Sequence, residues 1–278
     1  MSLCQYCGLR EAGSREHLPG VAALNDAPVV IRYLVSEAGE MRHVERREAD
    51  GFVVRTICGK CNQRTGGNYG TAFKGFALQF RSIGAFDDSA GRTWVSLRHI
   101  QPLRVLKQLA AMFLASQVEP VLDKWSPIRE FVLQRDKKLP SGSLRFFLYR
   151  NVSQLGRVSS MSGIGFLFQH PRWDTLIASE ISWPPLGIVF SLDAHPHLAG
   201  MKEITEWGQY SFKARDSFGF SVPQYRVETN WPVAYGTPRE VDAWTTAKGV
   251  VVAATNSLNG SAPGQIAALI RQVRDPSA

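Results

Sequence analysis

Two Cys-x-x-Cys pairs constrain this chain more than any other feature. Cys4 and Cys7 stand in CQYCG, Cys58 and Cys61 in CGKCN, and these are all the cysteines that the 278 residues contain. Each pair makes a tight turn that presents two thiolates to one ion at about 2.3 Å, with backbone N–H groups of the turn free to bond the sulfurs. Gly8 and Gly59 suit such turns. The opening residues carry no apolar segment of the signal-peptide type, and no apolar run approaches the roughly 20 residues of a membrane span. The expectation is therefore a cytoplasmic chain with no membrane partner, where paired cysteines read as metal ligands rather than disulfides. A redox Cys-x-x-Cys and four buried free thiols are the competing readings, but a redox motif normally stands alone near a βαβ pattern. Two pairs complete a Cys4 set that leaves zinc no open position, so the expected ion is a structural Zn2+.

The gap between the pairs also carries information. Residues 8–57, 50 positions, separate Cys7 from Cys58, against about 15–20 in a simple Cys4 finger. The insert must leave the metal and return to it. Its end reads MRHVERREADGFVVRTIC, where a charged stretch, the turn residues Asp50-Gly51 and a β-branched run predict a hairpin whose second strand delivers Cys58. CNQRTGG then reads as a short helix closed by Gly66-Gly67, and NYGTAFKGFALQF continues as a second helical segment.

Cys-x-x-Cys, a short spacer, an acidic residue followed by His, a hairpin, and Cys-x-x-Cys-Asn with a glycine four residues after the Asn together resemble the zinc-containing HNH endonucleases, over roughly residues 1–75. The resemblance implies a ββα-metal nuclease core. It also implies that Glu16 and Asn62 bind a catalytic divalent ion, Mg2+ or another, and that His17 is the general base. The chain departs from the family pattern at His17-Leu18-Pro19, one residue shorter than His-x-x-Pro, and at Gly70, where a third motif position falls; Asn68 is a nearby substitute.

The chemistry implied by that family needs these residue types. A hard cation takes oxygen ligands and keeps waters, so one carboxylate and one amide oxygen can hold it while leaving room for phosphate. An imidazole is largely neutral at cellular pH and can accept a proton from water. Out of context, Glu16-His17 reads as an exposed loop pair and Asn62 as a helix cap. Because they are adjacent, Glu16 and His17 would face opposite sides of a strand, and Pro19-Gly20 would supply the bend that reconciles them.

Beyond residue 82 no cysteine occurs, and GAFDDSAGR marks a boundary. The fold class expected is α+β: residues 1–82 as a zinc-stabilised ββα-metal domain and residues 83–278 as an α+β domain with a mainly antiparallel sheet. QPLRVLKQLAAMFLASQ predicts an amphipathic helix starting at Pro102, and SPIREFVLQR a second. SLRFFLYRN, GIGFLFQH, TLIASEI, LGIVFSLD and KGVVVAATN read as strands, and Pro263 to about Val273 as a closing helix. Trp173, Trp183, Trp207 and Trp231 fit a core or interface better than a base-stacking platform. Target recognition, dimerisation (a homodimer) and regulation are the roles open to this part.

Lys+Arg 32 against Asp+Glu 24 gives a net charge of +8, which favours polyanionic partners. Lys60, Arg64 and Lys74 lie nearest the proposed site and are the candidate phosphate contacts. Arg42, Arg46 and Arg47 alternate with glutamates as on a solvated hairpin, and His43, His170, His195 and His197 lack Cys or carboxylate partners at metal-binding spacing. Two classes of function remain. One is a metal-dependent endonuclease acting on nucleic acid, with DNA the expected substrate; the other is a zinc-stabilised nucleic-acid-binding module whose finger does not cut.

Overall fold

The four-residue strand β1 (Ser14–His17) pairs antiparallel with β4 (Val53–Ile57), setting His17 opposite Val53 and Ser14 opposite Ile57, with an irregularity between Ser14 and Glu16. The residues between them supply a separate hairpin: β2 (Val29–Glu37) and β3 (Glu40–Glu48) pair in unbroken register from Val29 opposite Glu48 to Glu37 opposite Glu40. This corrects the expected hairpin around Asp50-Gly51. The turn exists, but the strand that delivers Cys58 pairs with β1, because β3 is already taken by β2. These observations come from a computed structural model, which describes residues 2–23, 25–37, 40–83, 91–117, 125–153, 155–166, 174–195, 198–225 and 250–254.

After Cys58 the chain enters α1 (Gly59–Thr65), a π-helical turn over Gly66–Gly70, and α2 (Thr71–Ser82). Gly66 has right-handed helical angles, φ −57° and ψ −46°. The two glycines therefore widen the helix rather than close it, a second correction. On α2 the buried residues Ala72, Phe73, Phe76, Ala77 and Phe80 recur at helical spacing and form one apolar face.

The next elements are β5 (Arg92–Ile100), α3 (Pro102–Ser116) and α4 (Ser126–Leu133). Proline occupies the first turn of both helices, where its missing N–H costs nothing. The α3 helix is enclosed on all sides: every residue except Arg104 is buried. The expected amphipathic face does not reach solvent, and even Lys107 is covered.

Six further strands follow: β6 (Arg145–Asn151), β7 (Gly156–Phe166), β8 (Asp174–Trp183), β9 (Leu186–Ser191), β10 (Lys202–Glu203) and β11 (Asp216–Tyr225). With β12 (Val250–Ala254) they join a sheet of order β3-β2-β12-β7-β8-β9-β6-β11-β5, β10 pairing with β6. Most pairings are antiparallel, while β12 runs parallel to β2 and β7, and β11 parallel to β6. The fold is thus mixed α+β with mainly antiparallel sheets. The strands β2, β5, β10 and β11 are additions to those expected from the sequence, although β5 alternates buried Thr93, Val95 and Leu97 with exposed Trp94, Ser96 and Arg98 as a half-buried strand should.

One cluster of buried side chains runs from Cys4 and Ile57 through α2 and α3 to Phe190, Trp207 and Val222. Trp207 is fully enclosed, packed on Phe76 and Phe218, and Trp183 is buried, as a core role requires. His170, His197, Trp173, Trp231 and the closing helix expected from Pro263 to Val273 lie outside the described residues. No helix among the described residues is long and apolar enough to cross a membrane.

Candidate metal centre and catalytic face

The two Cys-x-x-Cys turns meet. The sulfurs of Cys4, Cys7, Cys58 and Cys61 all lie within 4.8 Å of one another, although 50 residues separate the pairs in sequence. A tetrahedral zinc with bonds of about 2.3 Å spaces its sulfurs by about 3.8 Å, so the four residues fit such an ion. The local electrostatics fit it too. Against opposing burial, the backbone N–H groups of Leu9 and Arg10 hold the Cys7 thiol down to about 7, and the exposed Arg10 guanidinium bonds Cys58. Burial pushes the Cys4 and Cys61 thiols up. Four thiolates this close repel one another unless a cation sits among them.

The cysteine cluster is tied to the core by the C-terminal end of α3. Tyr6 Oη donates to the Ala111 carbonyl at 2.9 Å and Thr56 Oγ1 to that of Ala115 at 2.7 Å. Ala115 lies in the last helical turn, where carbonyls have no partner within the helix. Arg129 of α4 reaches back to the Tyr6 carbonyl at 3.0 Å.

The helix α1 is locked to β1 through Asn62. Its Nδ2 donates to the Arg15 carbonyl at 2.7 Å and to Ser14 Oγ at 3.0 Å. Both amide hydrogens are then engaged, and Oδ1 alone can serve a cation.

His17 Nε2 lies 2.9 Å from the carbonyl oxygen of Asp50. A carbonyl only accepts, so Nε2 carries the proton and the Nδ1 lone pair is the basic site of a neutral ring. The turn that supplies this carbonyl is itself held: fully buried Asn25 donates to the carbonyls of Pro19 and Phe52 and accepts the Phe52 N–H at 2.6 Å. Glu16, by contrast, is buried and close enough to Tyr6 to act on its ionisation. Burial pushes its carboxyl up to about 7, and no hydrogen bond or ion pair reaches it among the described residues. Neighbours on a strand face opposite sides, which sets Glu16 on the core side of β1 and His17 on the side of the Asp50 turn.

The His17 side carries residues that the sequence did not assign to a site. A cleft of about 380 Å3 is lined by Arg15, Arg46, Glu48, Asp50, Val53 and Arg55, among others. Arg15 pairs with the Asp50 carboxylate and Arg46 with Glu48 at 2.7 Å. Positions 15 and 17 of β1, with 53 and 55 of β4, share one face, a period-two relation legible only once β1 and β4 are known to pair. Lys60, Arg64 and Lys74 are exposed on α1 and α2. Arg46 and Arg47 are exposed, as on a solvated hairpin, while His195 occupies a loop yet is buried.

Compared with models of protein families, with curated proteins and with solved structures, the chain matches none.

Proposed function

We propose that the chain is a metal-dependent endonuclease of the HNH type, hydrolysing phosphodiester bonds of nucleic acid, with DNA the expected substrate and a structural zinc in the Cys4 cluster. One observation carries this reading: the Asp50 carbonyl holds His17 in the tautomer whose Nδ1 can take a proton. The order of strand, strand and helix around the four cysteines supports it, as does the arginine-lined cleft beside His17.

In this reading the cleft seats the phosphodiester. His17 Nδ1 takes a proton from water as the water oxygen bonds to phosphorus, and the bond from phosphorus to the 3′ oxygen breaks. The leaving oxygen acquires its proton from solvent. Asn62 Oδ1 would hold a divalent ion on this face, and Glu16 would join it only by turning out of the core side of β1, where it is buried; the ion would supply Lewis-acid stabilisation of the charge that develops at the phosphoryl group. Asn62 has a second role that needs no ion, fixing α1 against β1 through its two donated hydrogen bonds.

A second reading, a zinc-stabilised nucleic-acid-binding module that does not cut, is favoured by the burial of Glu16 on the side of β1 away from His17. Supercoiled plasmid separates the two. Nicking that requires added Mg2+ or Mn2+ is expected of the enzyme; DNA binding without nicking, with every divalent ion tried, marks the binding module.

A further inference from the structure

Three segments distant in sequence bring arginines to the π-helical turn that follows α1. Arg104 of α3 donates through Nε to the Asn68 carbonyl at 2.6 Å and through Nη1 to Gln101 Oε1 at 2.8 Å. Its guanidinium carbon lies 5.1 Å from the centroid of the Phe212 ring, and that of Arg135 lies 4.2 Å from the same centroid. Phe212 in turn packs edge-on against Tyr69 of the π turn. Arg215, just past Phe212, and Arg135 both act on Arg104 as like charges, and Arg64 acts on Tyr69 from α1.

Guanidinium groups gathered in this way repel one another, and the four arginines outnumber the two acids beside them in sequence, Asp136, which also acts on Tyr69, and Asp216. Asp216 accepts hydrogen bonds from Tyr210 Oη and the Ser217 N–H. Asp136 makes no ion pair among the described residues, nor do the exposed Arg135 and Arg215 make an ion pair or hydrogen bond there. The π turn itself is bare: a Cβ added to Gly66 or Gly67 would meet nothing within 4 Å, and both are exposed. An extended anion can therefore approach the backbone between the arginines.

We infer that Arg64, Arg104, Arg135 and Arg215 form a binding site for the sugar–phosphate backbone of nucleic acid, separate from the His17 cleft. Asn68 follows Asn62 by six residues, about 9 Å at the helical rise. The site therefore lies along the same helical segment as the proposed centre, where the backbone of a strand held there would continue. That last relation rests on the nuclease reading; the binding site itself does not. Arg104 spends Nε and Nη1 on Asn68 and Gln101, so Arg135, held near Phe212 and exposed, is the guanidinium of the pair whose planar fork is open to phosphate.

The test uses the full-length His17→Ala protein without added divalent ion, so that nothing is cut. Fluorescence anisotropy with a labelled 20-base-pair duplex, and with one of its single strands, over 50–300 mM KCl gives the slope of log affinity against log salt. Adding Arg135→Ala and Arg215→Ala is expected to weaken duplex binding ~10-fold or more near 100 mM KCl and to reduce the slope by about 1.8, or about 0.9 for each phosphate that is no longer neutralised. Lys202→Ala with Arg81→Ala, outside the cluster, removes the same two charges and is the control for net charge. An unchanged slope overturns the inference, as does an equal loss in the control or a parent protein that binds neither strand form. If the slope falls but the wild-type protein never nicks plasmid, the nuclease reading fails alone; if it nicks and the slope is unchanged, this site fails alone.

Discussion

The imidazole of His17 and the backbone carbonyl of Asp50 are joined by a 2.9 Å hydrogen bond that involves no side chain of Asp50. Asp50→Ala therefore removes only the surface pair with Arg15, worth about 0–1 kcal/mol, and nicking should stay within ~3-fold of wild type. Gly51→Ala should behave differently. Gly51 has φ +86°, and its Cβ would lie 2.2 Å from Asn25 Oδ1 and 2.5 Å from the Asn25 carbonyl oxygen. Moving the turn that positions the carbonyl should cost about 1–3 kcal/mol and ~10-fold or more in nicking. Urea denaturation and plasmid assays on the two variants check this; equal behaviour would show that the turn does not position His17.

The convergence of the four sulfurs within 4.8 Å leads to a stoichiometry. Protein purified without added metal should contain about one zinc per chain. Cys58→Ser should lose it and weaken the docking of the cysteine turns on α3, because Tyr6 and Thr56 hold that helix from the same segments. Elemental analysis and near-ultraviolet circular dichroism measure both effects. A folded wild-type chain without zinc contradicts the assignment.

Arg157 and Glu180 form an ion pair whose side chains are 8% and 0% exposed, and Tyr149 Oη donates to the other carboxylate oxygen. Burial raises the Glu180 carboxyl despite these partners. Removing the arginine alone strands a buried acid, so Arg157→Met should lose about 3–5 kcal/mol, and adding Glu180→Leu should recover much of it. A double-mutant cycle by urea denaturation gives the coupling. Additive losses would show that the two side chains do not depend on each other.

Lys107 is covered on α3, its Nζ donating to the carbonyls of Phe131 and Gln134 where α4 ends. Burial draws its ammonium down to about 7, below the ~10.4 of a free lysine. Between those values the unfolded chain holds the proton and the folded chain does not, so this group's contribution to stability rises with pH across that window. Below it, both states are protonated and the penalty of burying the charge is fully present. Wild type should therefore gain stability relative to Lys107→Met between pH 7 and pH 9.5. Parallel urea midpoints at the two pH values would show that the ammonium stays charged.

Much of the cysteine centre was legible because its signal is local: a fixed spacing, repeated, with nothing else for the thiols to do. Asn62 was legible as a neighbour of Cys61, yet its contacts to Ser14 and Arg15 depend on β1 lying against α1. The pairing of β1 with β4 was hidden by the intervening hairpin, since β3 offers β4 a nearer partner in sequence. The π turn at Gly66-Gly67 was obscured because glycine more often ends helices than widens them. Arg104, Arg135 and Arg215 come from three segments whose meeting depends on packing around Phe212, which no pattern along the chain encodes. The burial of Lys107 could not be read from the amphipathic pattern of α3, because the enclosure of that helix is a tertiary property.

The central claim is that His17 supplies the base. Nicking of supercoiled plasmid by His17→Ala, compared with wild type at the same zinc content and the same melting profile, tests it most directly. The expected result is a slowing of Mg2+- or Mn2+-dependent nicking by ~10²-fold or more with DNA affinity nearly unchanged. Wild-type nicking with an equal rate in His17→Ala would contradict it.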